Sequence, residues 1–202
     1  SSDLLPTERT TPESFELQGL FAQMAAEGCT HAVMEVSSHA LYLHRVDCVP
    51  FRVGAFTNLT EDHLDFHKTM EAYREAKALL FDRCETGVFN LDDPAVARTW
   101  AEAPCHRVTY SLKGPADLRA ENIDLRADGI SFTAVTGDAS CPLKLGIPGE
   151  FTVQNALTVL GIALALGLPL PEAVRGLETA KSVKGHLGGL VHLRDGYVIT
   201  VD

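Results

Sequence analysis

The stretch FRVGAFTNLTEDHLDFH, Phe51 to His67, passes from an apolar run into three carboxylates and two histidines crowded between Thr57 and His67. The apolar part is short and bounded by polar residues, as suits a strand buried on both faces of a parallel sheet. A second run of the same texture, HAVMEVSS (31–38), lies just upstream. In an open α/β sheet, ligands gather at the carboxyl ends of the strands. Glu35, Ser37, Ser38, Thr57 and Asn58 therefore stand where chemistry is expected.

Helical patterns alternate with these runs. PESFELQGLFAQMAAEG sets Phe15, Leu17, Leu20, Phe21 and Met24 on one face, with Gly28 as the natural stop. KTMEAYREAKALLFDRC reads as a second helix, GVFNLDD as the strand after it, and AVARTWAEA as the helix that Asp-Asp-Pro introduces. From about 105 to 147 the pattern shortens into HRVTYSL, ADLRAENIDL, DGISFTAV and CPLKLGI, expected to form a small antiparallel β subsheet beside the main sheet. FTVQNALTVLGIALALGL, apolar nearly all round, reads as a buried helix and LPEAVRGLETA as a shorter one. LVHLRDGYVITVD reads as a hairpin turning at Asp195 and Gly196. The fold class is α/β, a mostly parallel sheet flanked by helices.

A formal charge of −10 sets the overall field against nucleic acid and anionic membranes. A phosphate-bearing ligand must then be met by local cations or a metal. The five cysteines are widely spread without a Cys-x-x-Cys pair, which points to a reducing, cytoplasmic setting. No run approaches the roughly 18 apolar residues of a membrane helix, and the polar start carries no export signal. The chain stops in strand-like residues and reads as a piece of a longer protein.

Glu35, His63 and Lys77 are weighed together because a carboxylate and a neutral imidazole at adjacent strand ends can share a hard divalent cation. Each has a plain alternative. Lys77, taken alone, is a solvated helical lysine. His63 and His67 stand at i, i+4 like a zinc pair, but Leu-Asp-Phe separates them, and TEDH equally caps a helix whose first turn is acidic. Ser37 and Ser38 can satisfy a strand end, and Arg45 can pair with Asp47.

TTP, MEVSSHAL, HRV, FTNLTEDHLDFH, YREAKALLF and NLDDP follow one another here in an order and spacing that resembles the Mur ligases, ATP-dependent amide-bond synthetases of peptidoglycan assembly. The resemblance runs from about Thr10 to Asp202 and is nearest the MurE type, which adds the third stem-peptide residue, diaminopimelate or lysine, to UDP-N-acetylmuramoyl-L-alanyl-D-glutamate. It implies that residues 1–202 are most of a central ATPase domain. It implies Mg2+ at Glu35, His63 and a carbamylated Lys77, with Lys77 and His63 also catalytic. Thr10, Thr11, Ser37 and Arg45 match positions that hold the UDP-muramoyl-dipeptide, and Asn155 and Asp202 match ATP-side positions. A cytoplasmic monomer is the expected state, with ATP, muramoyl-dipeptide and an amino acid as partners.

The chain departs from the family pattern in places. No G-x-x-x-x-G-K-[ST] occurs, and the resemblance places that loop, with its strand, upstream of Thr10. The N-terminal UDP-binding and C-terminal amino-acid domains are likewise absent, so these residues alone are expected to have no ligase activity. Phe-Asn-x-x-Asn reads Phe151-Thr152-x-x-Asn155, and His186 stands where the family carries an ATP-side arginine. The competing expectations are a folylpolyglutamate or cyanophycin synthetase relative, a metal-dependent hydrolase built on His63 and His67, and a non-catalytic binding module. The ligase reading gives His67 no role.

Overall fold

A computed structural model describes residues 10–60 and 64–179 of the chain. One six-stranded sheet runs through them in the order β1 (Phe51–Phe56), β2 (Cys84–Asn90), β3 (His106–Ser111), β4 (Leu118–Arg126), β5 (Gly129–Val135) and β6 (Ser140–Leu145). Neighbours from β1 to β4 pair parallel, β3 and β4 only through Tyr110 with Leu118 and Ser111 with Arg119. The pairs β4–β5 and β5–β6 are antiparallel hairpin partners.

Both faces of the parallel part are covered, as the unbroken apolar runs require. On one face lies α6 (Glu150–Ala165), whose Val153, Ala156, Leu157 and Leu160 are buried against Ala55, Val88 and Tyr110 of β1, β2 and β3. At Gly161 a Cβ would stand 2.8 Å from Val88 Cγ1, so glycine is what lets α6 lie this close to β2. The short α7 (Leu170–Leu177) packs beside α6 and β6. On the other face Phe56, Phe81, Phe89 and Val96 form a second buried cluster beneath α5 (Pro94–Glu102) and the 3₁₀ turn Leu79–Asp82. Each fully buried side chain of this size contributes about 1.5–3 kcal/mol.

Local chemistry sets the helix starts. Thr69 caps α4 (Met70–Ala78) by accepting from Ala72 N, and Asp93 caps α5 by accepting from Ala95 N and Val96 N, with Pro94 next in the first helical position. The remaining helices are α1 (Ser14–Ala26), α2 (Ser38–Tyr42) and the single turn α3 (Leu64–His67).

Three sequence expectations are corrected. HAVMEVSS forms no strand: residues 31–37 take no regular secondary structure. Among the described residues β1 is an edge strand of the sheet, and Ala32, Met34 and Val36 line, together with Phe51, Val53 and Ala55, a cavity of about 650 Å³. An apolar, β-branched run becomes a strand only where a ladder partner lies within reach. HRVTYSL belongs to the parallel part as β3, and the antiparallel strands continue the main sheet rather than forming a lobe beside it. In α1 only Leu17 is buried, and Phe15 and Met24 are exposed. Gly28 does sit just past that helix with φ 83°, as a C-terminal stop should. The hairpin expected over 190–202 lies outside the described residues.

Candidate functional site at the carboxyl ends of the strands

The parallel strands deliver their last residues, Phe56, Asn90 and Ser111, to one edge, and side chains lace the following loops together there. Asn90, nearly fully buried, donates through Nδ2 to the Thr57 carbonyl at 2.8 Å. Asp93 Oδ2 accepts from Leu59 N at 3.0 Å while its other oxygen caps α5. Asp92 accepts from Ser111 Oγ at 2.6 Å and from Leu112 N at 2.7 Å. NLDDP, read from sequence as a strand end and helix start, is thus the clasp that fixes the loops after β1 and β3. Its Asp-Asp-Pro signal gave the cap, but not the partners 19 to 34 residues away.

A second cluster joins several residues that the family resemblance singled out. The buried Thr11 hydroxyl donates to the Glu35 carbonyl and accepts from Ser37 N, both at 3.0 Å. Ser37 Oγ accepts from Ala40 N and so caps α2. Arg45 reaches back with Nη1 to the Thr11 carbonyl at 3.5 Å and pairs through Nη2 with Glu13 at 3.1 Å. The Asp47 partner expected for Arg45 is instead taken by His44 and Arg83. Thr10 is exposed beside this cluster.

Lys77 lies in the last turn of α4 and lines the cavity beside β1. Its Nζ stands 5.3 Å from the Tyr73 ring centroid and 5.8 Å from that of Phe56, the last residue of β1. The ammonium is therefore held at the carboxyl end of β1. Through α2, which packs on α4, the segment carrying Glu35 meets the helix carrying Lys77. Asn155 stands apart in the second turn of α6, half-buried. His63, His186 and Asp202 lie outside the described residues.

His67 is buried, and its Nε2 lies 2.9 Å from Ser38 Oγ. That contact engages one of its two ring nitrogens. Among the described residues, no three His, Cys, Asp or Glu side chains gather as a metal-holding group. A magnesium site needs less from the protein, because Mg2+ keeps several waters and takes one or two carboxylates plus substrate phosphates. The Glu35 carboxylate and a carboxylated Lys77 are hard oxygen donors of that kind, so the donor chemistry fits.

An open mixed sheet with its polar residues gathered past the parallel strand ends defines a ligand-binding domain of the α/β class. Residues 2–163 match the Mur ligase middle domain, and the chain belongs to the Mur ligase family. It is 42% identical over 181 residues to a UDP-N-acetylmuramoyl-L-alanyl-D-glutamate–2,6-diaminopimelate ligase of Clostridium botulinum, covering 90% of this chain and 38% of that protein. The enzyme of the same name from Bacillus licheniformis is 41% identical over 204 residues, covering 96% and 42%. A solved structure of such a ligase superposes with TM-score 0.80 at 32% identity, over 87% of this chain and 38% of that one. A MurF from Acinetobacter baumannii superposes at TM-score 0.64 and 26% identity, over 70% and 32%. The chain thus spans about two fifths of the length of the curated relatives it matches.

Proposed function

We propose that the protein to which this chain belongs is an ATP-dependent ligase that joins 2,6-diaminopimelate to UDP-N-acetylmuramoyl-L-alanyl-D-glutamate in peptidoglycan synthesis, and that this domain carries its phosphoryl-transfer site. The observation that supports it most is the cluster in which the Thr11 hydroxyl bridges the Glu35 carbonyl and the Ser37 amide while Arg45 Nη1 donates to the Thr11 carbonyl. These are residues that the family pattern assigns to the acceptor and the cation.

In this reading a carboxylate oxygen of the acceptor attacks the γ-phosphorus of ATP and ADP leaves. The amino group of the incoming residue then attacks the acyl phosphate, forming the amide and releasing phosphate and a proton. Magnesium, when bound, spreads the charge of the transferring phosphoryl oxygens. Glu35, His63 and a carboxylated Lys77 would hold it. The Lys77 ammonium first gives up one proton, and attack of the neutral amine nitrogen on the carbon of CO2 then forms an N–C bond with loss of a second proton, leaving an anionic oxygen donor. Arg45, with its guanidinium fixed by Thr11 and Glu13, supplies a charge-assisted contact to an anionic group of the acceptor. Thr11 acts through its bridge, which sets Glu35 and Ser37 relative to each other. Most of the rate then comes from positioning and electrostatics.

The cavity beside β1 belongs to the same reading. It is lined by residues 31–34 and 36 and by β1, which is an edge strand of the sheet among the described residues, so one further strand would pair along β1 there. We assign that place to a strand of the whole protein leading to its phosphate loop, which would then open onto Lys77 and Glu35. Incubation of the full-length protein with ATP, Mg2+, UDP-muramoyl-dipeptide and diaminopimelate tests the proposal. ADP, phosphate and the tripeptide product should form one for one, and ATP hydrolysis independent of acceptor would contradict it.

A further inference from the structure

We propose that His67 is a positioning residue for the cation site, tying together the three segments that carry Glu35, His63 and Lys77 without being a ligand itself. This rests on the assignment of those three residues made above.

The imidazole sits where the segments meet. Toward the first, His67 Nε2 lies 2.9 Å from Ser38 Oγ, and Ser38 follows Glu35 by three residues at the start of α2. His39 and Tyr42 of the same helix approach its ring at centroid distances of 5.5 and 6.2 Å. Toward the third, the ring stacks on Tyr73 at 5.2 Å and 19°, and the Tyr73 ring is the one over which Lys77 Nζ stands. Tyr73 and Lys77 are one turn apart on α4, so the stack and the cation share a face of that helix. The second segment is its own, since His67 closes α3 four residues after His63.

Space filling alone does not call for histidine here. Burying an imidazole costs free energy unless its nitrogens are bonded, and an aliphatic side chain would fill the same volume without that cost. The bond to Ser38 gives the polar group a use: it fixes the distance between two chain segments 29 residues apart that each bear a proposed ligand. Groups that orient ligands from behind typically change metal affinity by about 10–100-fold when removed.

The test is Mn2+ binding to the full-length protein with a non-hydrolysable ATP analogue, read as free Mn2+ by electron paramagnetic resonance, with folding checked by thermal melting. His67→Phe keeps the ring and loses the bond. Ser38→Ala, a milder change, removes it from the other side, and His67→Gln returns a polar atom near Nε2. The first two should each weaken Mn2+ binding about tenfold, and the double variant should be no weaker than either alone. His67→Gln should recover most of the loss. Wild-type Mn2+ affinity in Ser38→Ala, or losses that add in the double variant, would overturn the proposal. So would a loss in His67→Phe as complete as in Glu35→Ala, which would make His67 a ligand. If Glu35→Ala itself binds Mn2+ normally, the cation-site assignment fails and takes the proposal with it. A defective Glu35→Ala beside a normal His67→Phe sinks the role of His67 alone.

Discussion

The Asn90 side-chain amide donates to the Thr57 carbonyl at 2.8 Å, binding the end of β2 to the first residue past β1. That loop leads toward His63, so the bond connects sheet geometry to the proposed cation site. Asn90→Ala leaves the half-buried Thr57 carbonyl without this donor, at a cost of about 1 kcal/mol. Urea unfolding should report it as a lowered midpoint with an unchanged slope. A midpoint equal to wild type would mean that the Thr57 carbonyl finds another donor at no cost.

Arg74, almost fully buried in α4, donates to Glu71 at 2.8 Å, to Glu102 at 2.9 Å and to Thr99 at 3.2 Å, joining α4 to α5. The Arg74 hydrogen bond holds the Glu71 carboxyl below its ordinary range. Because that pKa is depressed in the folded protein, its contribution is full above the ordinary Glu value near about 4.3 and is lost as pH falls through the lower folded value. Arg74→Met should therefore lower the denaturation midpoint at neutral pH, with the gap from wild type narrowing below about pH 4. Denaturation at pH 7 and pH 3 measures it, and a gap that widens in acid would contradict the account.

Burial, with the Cys105 thiol alongside, pushes the Cys84 thiol up to about 12. At pH 8 its thiolate fraction is then roughly one in ten thousand. Cys29 and Cys48 are exposed. Iodoacetamide with peptide mass mapping should label Cys29 and Cys48 first and Cys84 only on unfolding. The proton that Cys84 keeps between the ordinary thiol range and about pH 12 is released on unfolding, so its contribution to stability falls as pH rises through that window. Early labelling of Cys84 in the folded protein would contradict its assigned environment.

Much of the fold was legible because the deciding information was local. Apolar runs with polar ends gave β1 and β2, Asp-Asp-Pro gave the start of α5, and the all-round apolar pattern of 151–168 gave the buried α6. What stayed hidden depended on partners distant in sequence. Val33, Met34 and Val36 have strand chemistry, but nothing within HAVMEVSS says that the run lines a cavity together with β1. Asp92 and Asp93 read as turn formers, while their bonds to Ser111 and Leu59 depend on the sheet order. His67 read as a zinc partner of His63 or as a bystander, because its bond to Ser38 bridges elements that only the tertiary fold brings together. The residues of the candidate site came from the order of motifs, since no single spacing distinguished Lys77 from a surface lysine.

The cavity beside β1 carries its own expectation. If a strand of the full-length protein fills it, the amides of Phe51–Phe56 gain partners on both sides and should exchange with deuterium as slowly as those of β2. Fast exchange, typical of an unpaired edge, would remove the strand from that place.

The central claim is that Glu35, His63 and Lys77 clasp one cation. A crystal structure of the full-length protein with Mg2+ and a non-hydrolysable ATP analogue tests it most directly. The account predicts one ion with Glu35 and a carboxylated Lys77 at about 2.0–2.1 Å, and His63 completing the set. An ion bound elsewhere, or Lys77 bare and turned away from Glu35, would contradict it.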